Sequence, residues 1–295
     1  MYEIGWIDLP GVVNMRDVGG IPTVDAQRIA SGRLIRSDNL QGLPADTLAH
    51  LVEQLGVTDV IDLRSFVEIA HEGSGPFMAH PRVRTTHFTL YADDTQHTGI
   101  PEGEADPERP EHPPTAVAGS TSAVQDAELP WVVKDRRRQR AGAPAFGAPE
   151  IDHDKHWSTH YLGYLTERPE SIVGALRVIA RAEGATIVHC AAGKDRTGAV
   201  VGLALATVGA HPDAIVADYA ATAERIEPII ARLRERPAYR DSLSRQTLAQ
   251  QTPRPETMRL LLGALDDHYG GVLGWLTGQG WTDDDTDALR AKLRG

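Results

Sequence analysis

Ten consecutive residues bring together a thiol, three charged side chains and a turn-forming glycine: His189-Cys190-Ala191-Ala192-Gly193-Lys194-Asp195-Arg196-Thr197-Gly198. A cysteine is followed by five residues and then an arginine. The apolar run Ala185 to His189 predicts a short strand before it, and the pattern from Thr197 to Val208 predicts a helix after it. A loop joining a strand to a helix N-terminus directs successive backbone N–H groups inward, which makes a cradle for a tetrahedral dianion. Gly193 permits close backbone approach there. Arg196, on the first helical turn, can close the ring with a bidentate guanidinium on two oxygens. The same field favours a thiolate. Cysteines in such settings ionise at pKa values of ~3.5–7.5, so Cys190 is expected to be a nucleophile at neutral pH.

A lone cysteine after a buried strand is ordinarily a small core residue, and Cys-x5-Arg alone recurs by chance. Here the strand, the helix, the internal glycine, the threonine after the arginine and the histidine before the cysteine all coincide. Cys190 is also the single cysteine among 295 residues, which excludes an internal disulfide and a cysteine-based zinc site. His153, His156 and His160 stand three and four residues apart, with Asp152 and Asp154 beside them, but no cysteine completes a metal set. No metal and no cofactor are expected.

The chain holds 30 basic and 41 acidic residues, a net charge of −11, which argues against a surface that embraces nucleic acid. Apolar runs such as Gly198 to Ala206 fall far short of the ~20 residues needed to span a bilayer. Met1 to Pro10 lacks the pattern of a signal peptide. A cytoplasmic monomer with no stable membrane insertion is the expectation. The charge is uneven: residues 93–130 carry nine acidic residues against one basic, with six prolines and no Phe, Tyr or Trp. Such a segment cannot bury enough surface to offset its ordering entropy, so 93–149 is expected to be a flexible insertion in one domain spanning 1–295. Its basic end, Lys134 to Arg140, reads as a solvated charge run or as a contact for an anion.

The remaining elements must position the loop. Asn14 to Asn39 suggests short strands and turns, Leu43 to Leu55 a helix, Val57 to Leu63 a buried strand and Val83 to Leu90 a second one. Trp157 to Leu165 and Glu170 to Ala182 read as helices separated by Pro169. Asp213 to Arg236, Pro255 to Tyr269 and Asp284 to Leu293 continue as helices. The fold class is therefore α/β, with a mostly parallel central sheet flanked by helices and a helical C-terminal part.

With these residues in view, the chain resembles the cysteine-dependent tyrosine-phosphatase superfamily, whose signature is His-Cys-x5-Arg-Ser/Thr. Gly193-Lys194-Asp195-Arg196-Thr197-Gly198 is similar to the loop of its atypical bacterial tyrosine/serine and lipid phosphatases, the mycobacterial type above all. Asn14-Met15-Arg16-Asp17-Val18-Gly19-Gly20, Leu34-Ile35-Arg36-Ser37, Asp62-Leu63-Arg64-Ser65 with Glu68, and Val216-Ala217-Asp218-Tyr219 resemble further family segments. The resemblance implies a tyrosine-phosphatase-like fold in which Cys190 attacks phosphorus and forms a phosphocysteine. It further implies that Ala191, Ala192, Gly193, Lys194, Arg196 and Thr197 bind the equatorial oxygens, that Thr197 bonds the thiolate, and that helices within 211–250 form a lid.

The leaving oxygen needs a proton. No Trp-Pro-Asp sequence is present, and Pro130-Trp131 runs in the opposite order. In the narrower family the loop aspartate serves, which is Asp195 here; capping the following helix is its alternative task. Asp62, Asp93 and Asp94 stand in reserve. Arg64 is either their partner or half of a structural ion pair, and His189 is expected to bond loop backbone and fix the cysteine. Lys194 is either a second cation in the cradle, favouring phosphoinositides, or a solvent-facing lysine that steers anions. The expected activity is phosphomonoester hydrolysis, on protein phosphotyrosine or phosphoserine with phosphoinositide in addition. The alternatives are a small-metabolite phosphatase, acting on a nucleoside or sugar phosphate, and a non-catalytic phosphate-binding module.

Overall fold

The computed structural model describes residues 3–91, 153–244 and 246–295, with side chains of the second stretch described from His160 onward. Asp93, Asp94, the insertion 93–149 and the side chains of His153 and His156 lie outside the described residues.

The chain opens with β1 (Gly5–Trp6) and β2 (Arg16–Asp17), then reaches β3 (Leu34–Ser37). Helix α1 (Ala45–Glu53) starts directly after Pro44, whose fixed φ suits a helix entry, and Leu51 and Val52 face the core. β4 (Val57–Asp62) follows. A capping box, Ser65 with Glu68, then starts the short helix α2 (Phe66–Glu72), which the apolar periodicity does not reveal. β5 (Arg84–His87) is shorter than the expected strand from Val83 to Leu90.

Beyond the insertion come α3 (His153–Glu167) and α4 (Pro169–Arg181), with Pro169 at the first helical position. β6 (Ala185–His189) leads through the loop to α5 (Asp195–Thr207). The expected helix from Asp213 to Arg236 is two helices, α6 (Pro212–Ala221) and α7 (Ile226–Arg234), joined by a 3-10 turn at Thr222–Arg225. Pro228 explains the break: proline has no N–H for an interior turn and is tolerated in the first turn of a helix, where it stands in α7. The chain ends with α8 (Pro237–Ser244), α9 (Leu248–Gln251), α10 (Pro255–Tyr269), α11 (Val272–Gly278) and α12 (Asp283–Arg294).

The six strands form one sheet in the order β1-β2-β3-β6-β4-β5. The first three pair antiparallel; β3, β6, β4 and β5 run parallel. β3 and β6 are buried at every position, as parallel strands covered on both faces must be. One face packs Ile35, Val60 and Ile187 with Leu51 of α1 and Phe77. Helices α4 and α5 also lie against the sheet. His189 pairs with Ser37 on one side and Asp62 on the other, so three strands deliver their C-terminal ends to the start of the loop. In parallel sheets that edge is where ligands bind.

Candidate active site

The loop from Cys190 to Thr197 owes its shape to outside donors that seize its carbonyls. Asn39 N–H donates to Ala191 O at 2.9 Å. Asn14 Nδ2 donates to Ala192 O at 2.9 Å and to Gly193 O at 3.2 Å, and Arg36 Nη2 donates to Gly193 O at 2.8 Å. A trans peptide is planar with its C=O and N–H opposed, so each carbonyl held outward turns the next amide inward. The amides of Ala192, Gly193 and Lys194 are thereby aimed into the loop. Gly193 sits at φ +66°, and a Cβ there would fall 2.4 Å from Ser37 O. The glycine is required both by the backbone angle and by the neighbouring chain.

Cys190 lies at the base of this ring and is 2% exposed. His189, ahead of it, approaches Cys190 O through Nδ1 at 3.3 Å, and its Nε2 lies 3.7 Å from Asp62 Oδ1. Burial keeps the His189 imidazolium unfavourable and pushes its pKa below the usual value. Asp62 accepts from Arg64 Nη2 at 2.7 Å and from Arg64 N–H at 3.0 Å. Burial opposes its charge, but His189 and Arg64 outweigh burial and hold the carboxyl well below the usual range. Arg64 is thus half of a buried structural pair.

Arg196 meets Glu68 end to end. Its Nη1 and Nη2 donate to the two carboxylate oxygens, the second at 2.9 Å, and Nη1 also reaches Leu63 O at 3.2 Å. Three of the five guanidinium N–H groups are used in this way. The adjacent edge, Nε–H with the second Nη2–H, is left for two phosphate oxygens. Burial works against the Glu68 carboxylate, yet Arg196 pulls its pKa below the ordinary value. Tyr91 covers the guanidinium, 5.0 Å from ring centre to Cζ. Burial raises the Tyr91 hydroxyl to about 12. Glu68 is one of the residues whose roles sequence reasoning missed; its capping box marks a helix start but gives no sign of Arg196.

The structure rejects one of the two readings left open for Asp195 and for Lys194, and departs from one expectation at Thr197. Asp195 does not cap α5: Lys194 occupies the cap position and no side chain bonds there. The Asp195 carboxylate turns instead to Tyr161, whose hydroxyl donates to Oδ1 at 2.6 Å and lies 2.7 Å from the Tyr219 hydroxyl. Lys194 does not face solvent. It is 3% exposed, and Nζ donates to Gln251 O at 2.8 Å and Gln251 Oε1 at 3.2 Å, 3.6 Å from Asp195 Oδ2. Thr197 is fully buried and its hydroxyl has no partner, the thiol included, so the expected bond to sulfur is not formed here.

Helices α7 and α8 close over the loop: Ala191 shares a buried cluster with Ile226, Ile230, Leu233 and Tyr239, and Ala192 packs against it. Two ion pairs fasten these helices to the body, Arg232 with Asp38 at 2.8 Å and Arg236 with Glu72 at 2.7 Å. Beside the loop, Lys194, Asp195 and Tyr219 share a small cleft with Gln250, Thr252 and Thr257. Among the described residues, no group of His, Cys, Asp or Glu is placed to hold a metal ion, and no helix is long and apolar enough to cross a membrane.

A cysteine beneath a ring of inward amides, closed by a carboxylate-held arginine at the C-terminal edge of a parallel sheet, is the equipment of a phosphatase that works through a thiolate. A family model described as the tyrosine phosphatase family matches residues 7–295, and the chain belongs to that family. It is 27% identical to the triple specificity protein phosphatase PtpB of Mycobacterium tuberculosis, over 98% of this chain and 99% of that one. A tyrosine-protein phosphatase of Nostoc commune is 31% identical over 129 residues, 40% of this chain and 42% of that one. The chain is a cysteine-dependent hydrolase of the tyrosine-phosphatase type.

Proposed function

We propose that the chain hydrolyses phosphotyrosine through Cys190, and that the outward-held carbonyls of Ala191, Ala192 and Gly193 carry this reading because they pre-aim the amides. The Cys190 sulfur attacks phosphorus as the bond from phosphorus to the tyrosine oxygen breaks. Asp195 gives its proton to that leaving oxygen; a group so placed contributes ~10²–10⁴-fold. The phosphocysteine then takes up water, Asp195 accepts a water proton, and thiolate and phosphate separate. Arg196 and the amides from Ala191 to Thr197 hold the equatorial oxygens while their charge is redistributed. Asp62 is a poor acid, because the Arg64 guanidinium bonded to it keeps it ionised. His189 fixes the loop. Lys194 anchors the loop to Gln251 and adds positive charge beside Asp195.

With Cys190 nearly inaccessible, a substrate must displace the cover, so helices of 211–250 act as a lid that opens for binding. The loop's resemblance to the bacterial tyrosine/serine and lipid phosphatases extends the reading to phosphoserine and to phosphoinositides. Vanadate-sensitive hydrolysis of an aryl phosphate tests the chemistry: Cys190→Ser should abolish turnover, and equal activity in both proteins would sink the thiolate mechanism. Comparing kcat/KM for a phosphotyrosine peptide, a phosphoserine peptide and a short-chain phosphoinositide tests the substrate class.

A further inference from the structure

Behind the loop lies a buried charge cluster to which the reaction steps assign no role. Asp218 of α6 is 2% exposed and accepts from two arginines that are equally buried, Arg16 Nε at 2.9 Å and Arg36 Nη1 at 2.6 Å. Each arginine has a second attachment that ends on the loop. Arg36 Nη2 reaches Gly193 O at 2.8 Å. Arg16 Nη1 reaches Asn14 Oδ1 at 2.6 Å, and Asn14 Nδ2 in turn holds Ala192 O and Gly193 O. Arg16 Nη2 binds Asp218 O at 2.7 Å and Thr222 Oγ1 at 3.0 Å, which locks the guanidinium plane.

We propose that Asp218 is a positioning residue for phosphate binding: through Arg36, and through Arg16 and Asn14, it holds the Ala192 and Gly193 carbonyls outward and so aims the Gly193 and Lys194 amides at the phosphoryl oxygens. The proposal rests on the loop being the phosphate site. The geometry is over-determined, because the two routes from one carboxylate converge on Gly193 O. A carboxylate that merely pinned α6 to the body would need neither route.

The experiment uses the full chain with Asp218→Asn, and three readouts: inhibition by orthovanadate, the ratio of Cys190 alkylation rates by iodoacetate and by neutral iodoacetamide, and the thermal midpoint. The first two read the anion-binding field of the loop. Asp59→Asn is the control, since Asp59 is buried and paired with Arg84 at 2.7 Å near the opposite end of β4. Asp218→Asn is expected to weaken vanadate inhibition and to lower the alkylation ratio by about 10-fold or more, whereas Asp59→Asn loses thermal stability alone. Arg36→Lys decides the question if Asp218→Asn does not fold: lysine lacks the rigid two-nitrogen fork that sets Nη1 on Asp218 and Nη2 on Gly193 O at once, so the same losses are expected. Vanadate inhibition and an alkylation ratio within about twofold of the parent in a folded variant overturn the proposal. A parent protein that neither hydrolyses phosphate esters nor prefers iodoacetate overturns the underlying reading of the loop instead.

Discussion

The hydroxyl of Tyr161 donates to Oδ1 of Asp195 at 2.6 Å, and this bond fixes the direction of the carboxylate at the first residue of α5. Tyr219 backs Tyr161 from the other side at 2.7 Å. Burial raises the pKa of both phenols, so they remain neutral donors across the working range. The proposed acid is therefore carried by a residue of the loop but aimed by residues of α3 and α6.

Removing the aiming bond should show itself through the leaving group. Tyr161→Phe is expected to slow alkyl phosphates about 10-fold while aryl phosphates with good leaving groups lose less than threefold. Asp195→Asn should reproduce the pattern with a larger loss. Rates for a series of leaving groups check this, and a uniform effect across the series would remove Asp195 from the acid role.

Glu68 and Arg196 are both buried, so breaking their pair strands a charge. Glu68→Ala is expected to cost about 3–5 kcal/mol of stability, because the arginine loses its partner and α2 loses half of its capping box. Urea unfolding measures it. Activity should fall further than stability explains, since an unheld guanidinium no longer offers its free edge in one orientation. A loss below about 1 kcal/mol would show that solvent reaches the pair.

Gly193→Ala puts a methyl group against Ser37 O in a backbone conformation that alanine rarely adopts. The loop must shift to relieve it. A drop in kcat/KM of about 100-fold or more is expected, with vanadate affinity falling in parallel. Retention of vanadate affinity would mean the ring tolerates the shift.

Stability should decline with acid in two stages. His189 has a folded pKa below its unfolded value of ~6.5, so acidification below that value charges the unfolded chain first and weakens the fold. Asp62, Glu68 and Asp218 are also depressed, each by opposite charges that outweigh burial; their contribution is complete above about pH 4.5 and is lost as pH falls further. Asp38 acts in the opposite sense, because burial raises its pKa. Each linked proton contributes a slope of up to ~1.4 kcal/mol per pH unit. Urea midpoints from about pH 2 to about pH 8 check this, and His189→Asn should erase the first stage alone.

What could be read from the sequence is what chemistry demands of contiguous residues. Cys190, Gly193, Arg196 and Thr197 must follow one another at fixed spacing, so their arrangement is visible in one dimension. Asp62 and Arg64 alternate to the same side at a strand end, and their pairing is legible for the same reason. The partners that hold the loop are not. Glu68 lies 128 positions from Arg196, Asp218 lies 202 from Arg16, and Asn14 lies 178 from Ala192. No local pattern marks such pairs. Asp195 at a helix start keeps a cap open as one of two readings because that rule is local, and a tyrosine 34 positions away holds the carboxylate instead. The short helices α2, α9 and α11 were hidden because fewer than three turns give no clear period.

Helix α6 carries two neighbouring residues with separate duties: Asp218 faces the arginines under the ring, and Tyr219 packs its side chain against Gly198 and backs Tyr161. Consecutive residues on a helix point about 100° apart and are separated by ~1.5 Å of rise, so neither can move without the other. On the roles proposed for Asp218 and Asp195, affinity for phosphate and delivery of the proton share one mechanical support. Substitutions elsewhere on α6 that tilt the helix would change both together, and an enzyme built this way cannot trade one against the other by altering that helix.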